Sequence, residues 1–443
     1  MAYDDKKAER IRRWIVNLVF IVYWLLIFEG ALRKWAFPQY HRYIFFIRDP
    51  FVMLIYWLAF KNRLYPKNMS LFLYGFSLSI VFLFFVLFQS IITTSGLMTL
   101  VYGWRMYFFY LPLAFIVGQN FDGNDLKRLL RQTLYVAVPM GLLVYAQHIS
   151  PPASFINQTA ESSVIYTIAG ARGGSIVRPT GTFTFFHGQQ LFIGSVMAFI
   201  FSSWILPKEY RPINTAILSM ASVSAVVNLA LSGTRLPYIF SGLICMSAGA
   251  CAVVIRRPKI SARALAIPIV LFILGAFAFV YFFAGVGQMT LERHRGAEDI
   301  EGSVFQRFGN MLFMFTGFVQ EVDMFGMGIG SHTSGGAALT TGYREDSGVE
   351  DEWTRILFET GLIFGPIYIF LRVLLVFWII RSSIRATNRS DNPLPVLLVA
   401  YISSVLLVWA ITNYGTEMGY GWLFLGFSIA ANKLGIKERG IWG

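Results

Sequence analysis

Three short clusters carry residue types suited to phosphate and proton chemistry in an otherwise apolar chain. The first is Arg178-Pro-Thr-Gly-Thr-Phe-Thr-Phe-Phe-His187. The second is Leu231-Ser-Gly-Thr-Arg235, and the third is Glu350-Asp-Glu-Trp-Thr-Arg-Ile-Leu-Phe-Glu-Thr-Gly361. Arginine holds phosphate bidentately and stays charged. An acid held near a membrane has its pKa raised and can serve as a general base. Arginines on two segments and acids on a third therefore suit a diphosphate handled beside a hydroxyl.

Each cluster also has a structural reading. Arg178 and Arg235 lie at span ends, where basic residues meet lipid headgroups. Arg235 is the more telling, because an arginine on the outer side opposes the general charge bias. The acids at 350–352 open a helix, where carboxylates favour the macrodipole. Asp351, Arg355 and Glu359 fall at i, i+4 and i+8, a charge stripe on one face, and Glu352 is also close enough in sequence to pair with Arg355. Glu350 falls off that stripe and is the acid least committed to structure, with Glu352 next. Within the apolar runs, Glu29 and Arg33 have the spacing of a structural pair, and Arg48 adjoins Asp49. Arg105 has no acid near it in sequence and is a candidate phosphate contact. His148 and His187 are isolated and read as hydrogen-bonding or interfacial residues. No His/Cys/Asp cluster has metal-ligand spacing, and no Walker or dinucleotide glycine motif occurs, so no cofactor is expected. Cys245 and Cys251 share one apolar run and read as packing residues.

The elements that position these residues are membrane spans. The chain is 56% hydrophobic and 14% charged, far from a soluble composition. Apolar runs near span length cover 14–32, 43–60, 70–93, 97–118, 131–149, 189–206, 212–231, 236–255, 264–286, 353–380, 394–413 and 418–435. This is an all-α polytopic membrane protein of about twelve transmembrane helices. The net charge of +13 lies in short loops between spans, the positive-inside pattern, and does not mark a nucleic-acid partner. Basic groups such as Lys6 to Arg13, Lys61 to Lys67, Arg256 to Arg263 and Arg381 to Arg389 then share one side. Both termini are expected to be cytoplasmic, and the first run is too long for a cleaved signal peptide. The organisation is an N-terminal helix group at 1–149, a long outer loop at 150–188, central helices at 189–286, a second long outer loop at 287–352 and C-terminal helices at 353–443. The second loop contains a candidate amphipathic helix, Phe305 to Val322, and a glycine-rich stretch, Gly326 to Gly336. Loops this long are usually functional or disordered.

In this order and topology the clusters resemble the bacterial O-antigen polymerase and O-antigen ligase family. The resemblance rests on Arg178-Pro-Thr-Gly-Thr-Phe183, Ser232-Gly-Thr-Arg235, Arg307 before the amphipathic helix, Gly326-Met-Gly-Ile-Gly330 and Glu359-Thr-Gly-Leu-Ile-Phe-Gly365. Glu29-Gly-Ala-Leu-Arg-Lys-Trp-Ala-Phe-Pro38 is similar to some exopolysaccharide polymerase-like members. It implies a GT-C-like fold in the bacterial inner membrane, with the active site facing the periplasm. It also implies a metal-independent, inverting glycosyltransferase whose donor is an oligosaccharide on undecaprenyl diphosphate. Arg178 and Arg235 would neutralise the diphosphate, helped by Arg307 or Arg105. Ligases of the family commonly carry a catalytic His where this chain has Glu350. That departure favours a polymerase, whose acceptor is another lipid-linked repeat unit and which can have a chain-length regulator as partner. The rivals are a ligase acting on lipid A core or another acceptor, and a transporter or flippase. Transporters often show paired broken helices in two related halves, and none is evident here.

Overall fold

The computed structural model describes residues 2–67, 69–160, 167–169, 175–233, 236–254, 322–341 and 351–434, with positions 269, 270, 273 and 277. Its helices are α1 (Ala2–Ala31), α2 (His41–Ile44), α3 (Asp49–Lys61), α4 (Ser70–Ile92), α5 (Leu97–Trp104), α6 (Leu111–Asn120) and α7 (Gly123–Ile149). They continue with α8 (Phe186–Ile205), α9 (Thr215–Leu231), α10 (Leu236–Val254), α11 (Ser334–Thr341), α12 (Glu352–Ser390), α13 (Leu394–Val408) and α14 (Gly415–Ala431). Two π-helical turns, Leu32–Ala36 and Arg105–Phe109, extend α1 and join α5 to α6. A short antiparallel ribbon, β1 (Thr167–Ala169) with β2 (Ser175–Val177), lies ahead of the Arg178 cluster.

Among the described residues, seven helices are long and apolar enough to cross a membrane, and α9, α13 and most of α10 form shorter apolar helices. The protein is thus a helical membrane protein with several spans. Each run expected from hydropathy coincides with a described helix except 264–286, most of which lies outside the described residues. So does nearly all of the expected amphipathic helix, of which only Val322 is described.

Burial fits the membrane reading. Outward positions on α4 and α12 are large and apolar, including Phe84 (69% exposed), Ile91 (82%) and Phe377 (67%). Apolar surface of this extent is stable only against lipid or protein. In contrast, α8, α13 and α14 are buried along most of their length.

Basic residues tie helix ends together at one end of the bundle. Arg12 of α1 bonds Asn120 O at 2.8 Å and pairs with Asp122 (3.1 Å) and Asp125 (2.8 Å). Asp122 and Asp125 also form a reciprocal capping box that starts α7, satisfying donors that a helix start leaves open. Arg131 bonds Pro212 O, and Lys433 after α14 bonds Gln119 at the end of α6. The described parts of the three clusters singled out in the sequence lie at the other ends of these helices, 178–187 leading into α8, 231–233 at the end of α9 and 351–361 at the start of α12.

Candidate functional site

At that opposite end the Arg178 segment turns back into the bundle. Residues 179–183 are buried, so their backbone groups need partners inside the protein. Lys34 supplies two bonds, from Nζ to Thr180 Oγ1 (2.9 Å) and to Gly181 O (2.7 Å). Gln147 of α7 donates to Gly181 O (3.1 Å) and accepts from Gly181 N (2.8 Å). Thr182 Oγ1 donates to Ile27 O at 2.6 Å. Gly181 has φ +58°, and a Cβ there would lie 2.4 Å from Gln189 Oε1. The turn therefore requires glycine for its conformation, while the atoms a Cβ would meet are the side-chain ends of Gln189 and Met140.

The anchored turn presents Arg178. Its guanidinium lies 5.1 Å from the centre of the Phe186 ring. It is half-buried, its Nε is enclosed without a hydrogen-bond partner, and no carboxylate pairs with it among the described residues. Burial pushes its pKa below the ordinary arginine value, yet an arginine stays protonated in proteins. The result is an unneutralised cation at a water-restricted edge, where an anion would be held more strongly than in bulk water.

His187 follows at the start of α8. Its Nδ1 lies 2.7 Å from Oε1 of Glu417, a fully buried acid in the first turn of α14. Four rings stand edge-on to the imidazole: Phe185, Phe186, Trp409 and Tyr414, at centroid distances of 4.5, 4.6, 5.2 and 5.6 Å. Sequence spacing could not pair His187 with Glu417, because 230 positions separate them. The available signal was a lone His and a lone acid at two helix starts facing the same side.

The start of α12 holds a closed ionic network. Asp351 caps the helix, accepting from Thr354 N at 2.9 Å, and burial raises its pKa. Glu352 pairs with Arg355 and with Arg372 (2.6 Å), and the Thr412 backbone N–H donates to it at 3.2 Å. The stripe expected from Asp351, Arg355 and Glu359 is thus divided, since Arg355 turns to Glu352. Glu359 instead accepts from the Tyr107 hydroxyl (2.7 Å) and from His332 N (3.1 Å). A carboxylate held by two guanidiniums is a poor proton acceptor, so the network gives Glu352 a structural place. Arg372, one of its partners, had not been singled out in the sequence.

Below this network α12 is broken. Gly361 has φ +76°, and a Cβ there would sit 2.4 Å from Met324 O and 2.5 Å from Gly326 N. The glycine-rich stretch crosses the break and bonds the carbonyls it frees, with Met327 N to Phe358 O (2.8 Å) and Gly328 N to Glu359 O (3.2 Å). Gln89 of α4 completes the join to Phe325 O, Glu359 O and Ile329 N. Two segments that carried the resemblance, 326–330 and 359–365, therefore meet.

Arg105 has a partner that the local sequence did not show. It binds Asp49 bidentately at 2.6 and 2.9 Å, and Tyr110 donates to the same carboxylate. Arg48 is separated from its neighbour Asp49 and pairs with Glu29 at 2.8 Å, while Glu29 also pairs with Arg33 at 3.3 Å. A cation held this way is already neutralised, unlike Arg178. Of the six residues proposed for chemistry from the sequence, Arg178, Arg105 and Glu352 are described, whereas Glu350, Arg235 and Arg307 lie outside the described residues. Among the described residues, no group of three or more His, Cys, Asp or Glu could hold a metal ion. Comparison with known proteins finds neither a matching family model nor a matching curated protein.

Proposed function

We propose that this chain is a polysaccharide polymerase, an inverting, metal-independent membrane glycosyltransferase of about twelve spans and GT-C-like fold. It moves a glycan from undecaprenyl diphosphate to a hydroxyl of an acceptor lipid-linked repeat unit. The reaction takes place at the periplasmic face of a bacterial inner membrane. The observation that carries this reading is Arg178, a half-buried cation without a carboxylate partner among the described residues, beside a ring-lined edge. Such a cation suits a leaving diphosphate, because preorganised positive charge is worth most where water is restricted. The prenyl tail lies against the apolar outer surface of the bundle. Arg235 and Arg307 are proposed as further diphosphate contacts, and Glu350 is the acid the sequence offers as base. The join between 326–330 and 359–365 gives the outer loop a fixed base from which to cover bound sugar.

The test uses purified protein with a lipid-linked repeat unit, resolving products on a gel. Wild type yields a ladder of lipid-linked oligomers, and Arg178→Gln lowers its rate about 100-fold or more, the scale of losing one preorganised stabilising group. A wild type that makes no ladder from authentic substrate but transfers glycan to lipid A core is a ligase. One that only moves the lipid-linked unit across vesicles is a transporter.

A further inference from the structure

We propose that His187, oriented by Glu417, is the general base that removes the acceptor hydroxyl proton, in place of the Glu350 expected from the sequence, an assignment that rests on the glycan-transfer reading above. Glu417 is wholly buried and lies in the first turn of α14, where the helix dipole favours a carboxylate. Two cations flank that turn. Arg48 donates to Gly415 O at 3.1 Å, and Arg372 lies within electrostatic reach of Glu417. A carboxylate in this setting accepts a hydrogen bond, so the 2.7 Å contact places the imidazole proton on Nδ1. Nε2 then carries the free lone pair.

That lone pair is accessible. No hydrogen bond is made to Nε2 among the described residues, and the side chain is 25% exposed. Glu417, meanwhile, is sealed behind it with Oε2 unpartnered, so acceptor sugar reaches the pair only through His187. The edge-on rings of Phe185, Phe186, Trp409 and Tyr414 hold the imidazole plane and line the approach with aromatic surface. Phe186 also stacks under the Arg178 guanidinium. One ring therefore separates the cation that would receive the leaving group from the base that would receive the proton. Among the described residues, the charged groups that these contacts bring towards the pair are Arg178 across the Phe186 ring, Arg48 at Gly415 O and Arg372 near Glu417, and the Tyr414 ring packs on the imidazole.

The step balances. The acceptor O–H bond breaks and its proton passes to Nε2 of His187. The hydroxyl oxygen forms a bond to the anomeric carbon from the face opposite the diphosphate. The bond from that carbon to the phosphate oxygen breaks, and its electron pair leaves with undecaprenyl diphosphate beside Arg178. The imidazolium so formed keeps its Nδ1–H on the Glu417 carboxylate until it returns the proton to solvent. Glu417 touches neither substrate and acts as the positioning residue.

Two measurements test this. In 15N-histidine NMR of the full chain at pH 7.5, with His187 assigned by loss of its signals in His187→Gln, the expected state is the neutral ring protonated on Nδ1. Glu417→Gln shifts it towards Nε2 protonation. A wild-type ring protonated on Nε2 overturns the proposal whatever the protein's activity. In the oligomer-ladder assay, His187→Gln is expected to lose about 100- to 10,000-fold in rate, the usual reach of general base catalysis, while lipid-linked donor binding stays within about threefold. A His187→Gln ladder at the wild-type rate overturns the base assignment and leaves the polymerase reading standing. Wild type without glycan transfer to any acceptor overturns both, and the NMR result then describes a structural pair only. A defect in Glu417→Gln that Glu417→Asp partly restores supports positioning by the carboxylate.

Discussion

Lys34 Nζ donates to the carbonyl oxygen of Gly181 at 2.7 Å, joining the end of the first span to a turn 147 positions later. The same Nζ bonds Thr180 and lies 4.5 Å from the Trp35 ring centre. The Arg178 turn is thus held to the bundle by a buried lysine side chain, with Gln147 and Thr182, rather than by its own short chain. Lys34→Met keeps most of the volume and removes both bonds. The expected cost is about 1–3 kcal/mol, the penalty for stranding buried polar groups. It is read as a lower midpoint in detergent thermal unfolding, together with a slower oligomer ladder. An unchanged midpoint and ladder would show that Gln147 and the Thr182–Ile27 bond suffice to hold the turn.

Glu352 makes the opposite prediction to a catalytic acid. Its carboxylate separates two arginines that are 0% exposed, Arg355 and Arg372. Removing one member of a buried ionic network leaves the rest uncompensated, at about 3–5 kcal/mol. Glu352→Gln is therefore expected to lose folded protein on size-exclusion chromatography. The double variant Glu352→Gln/Arg372→Gln removes one charge of each sign and is expected to recover part of the loss. Glu352→Gln that stays fully folded and loses only transfer rate would return this acid to the list of bases.

The sequence showed the membrane class clearly and the site only in pieces. Hydropathy located the helices because lipid imposes one rule, a long apolar run, on each of them. Local spacing found Glu29 with Arg33 and the capping acids before α12, since those partners lie within one or two helical turns. It could not find Arg105 with Asp49, His187 with Glu417 or Arg372 with Glu352. The first two pairs are fixed by packing between elements 56 and 230 positions apart, and the third by the break at Gly361, which brings residues 20 positions apart on α12 together, so helical periodicity carries no information on any of them. Arg48 and Asp49 mislead for the same reason. They are adjacent in sequence, and packing sends one to Glu29 and the other to Arg105.

His332 gives a pH dependence with a definite sign. Burial, then the positive charge of Arg355, lowers its pKa from the ordinary value. The native state therefore binds fewer protons at this ring than the unfolded chain. The ring's contribution to stability is complete above the unfolded value, about 6.5, and is lost as pH falls through that value towards the lowered native one. The thermal midpoint is expected to drop between pH 7.5 and 5.5, and to drop less in His332→Gln. Parallel pH curves for the two proteins would remove His332 as the titrating group.

The break in α12 is the device that lets the glycine-rich stretch 326–330 pack into the bundle. Gly326 and Gly361 approach so closely that a Cβ on either would lie about as near as a bonded second neighbour, 2.6 Å from Glu359 backbone atoms and 2.4 Å from Met324 O respectively. Gly361→Ala therefore meets two costs, a left-handed backbone and a clash with main chain that no side-chain rotation relieves. The strain alone is on the order of 1–3 kcal/mol. Releasing it requires the glycine-rich stretch to lift away, which breaks the Met327 and Gly328 bonds to α12 and frees Gln89. Gly361→Ala is expected to expose the 322–341 segment to limited proteolysis at a protein concentration where wild type is resistant. It is also expected to slow the oligomer ladder while leaving the His187 tautomer unchanged, because the His187–Glu417 contact is made by α8 and α14. Resistance equal to wild type would mean that the helix can straighten at Gly361 without displacing the loop.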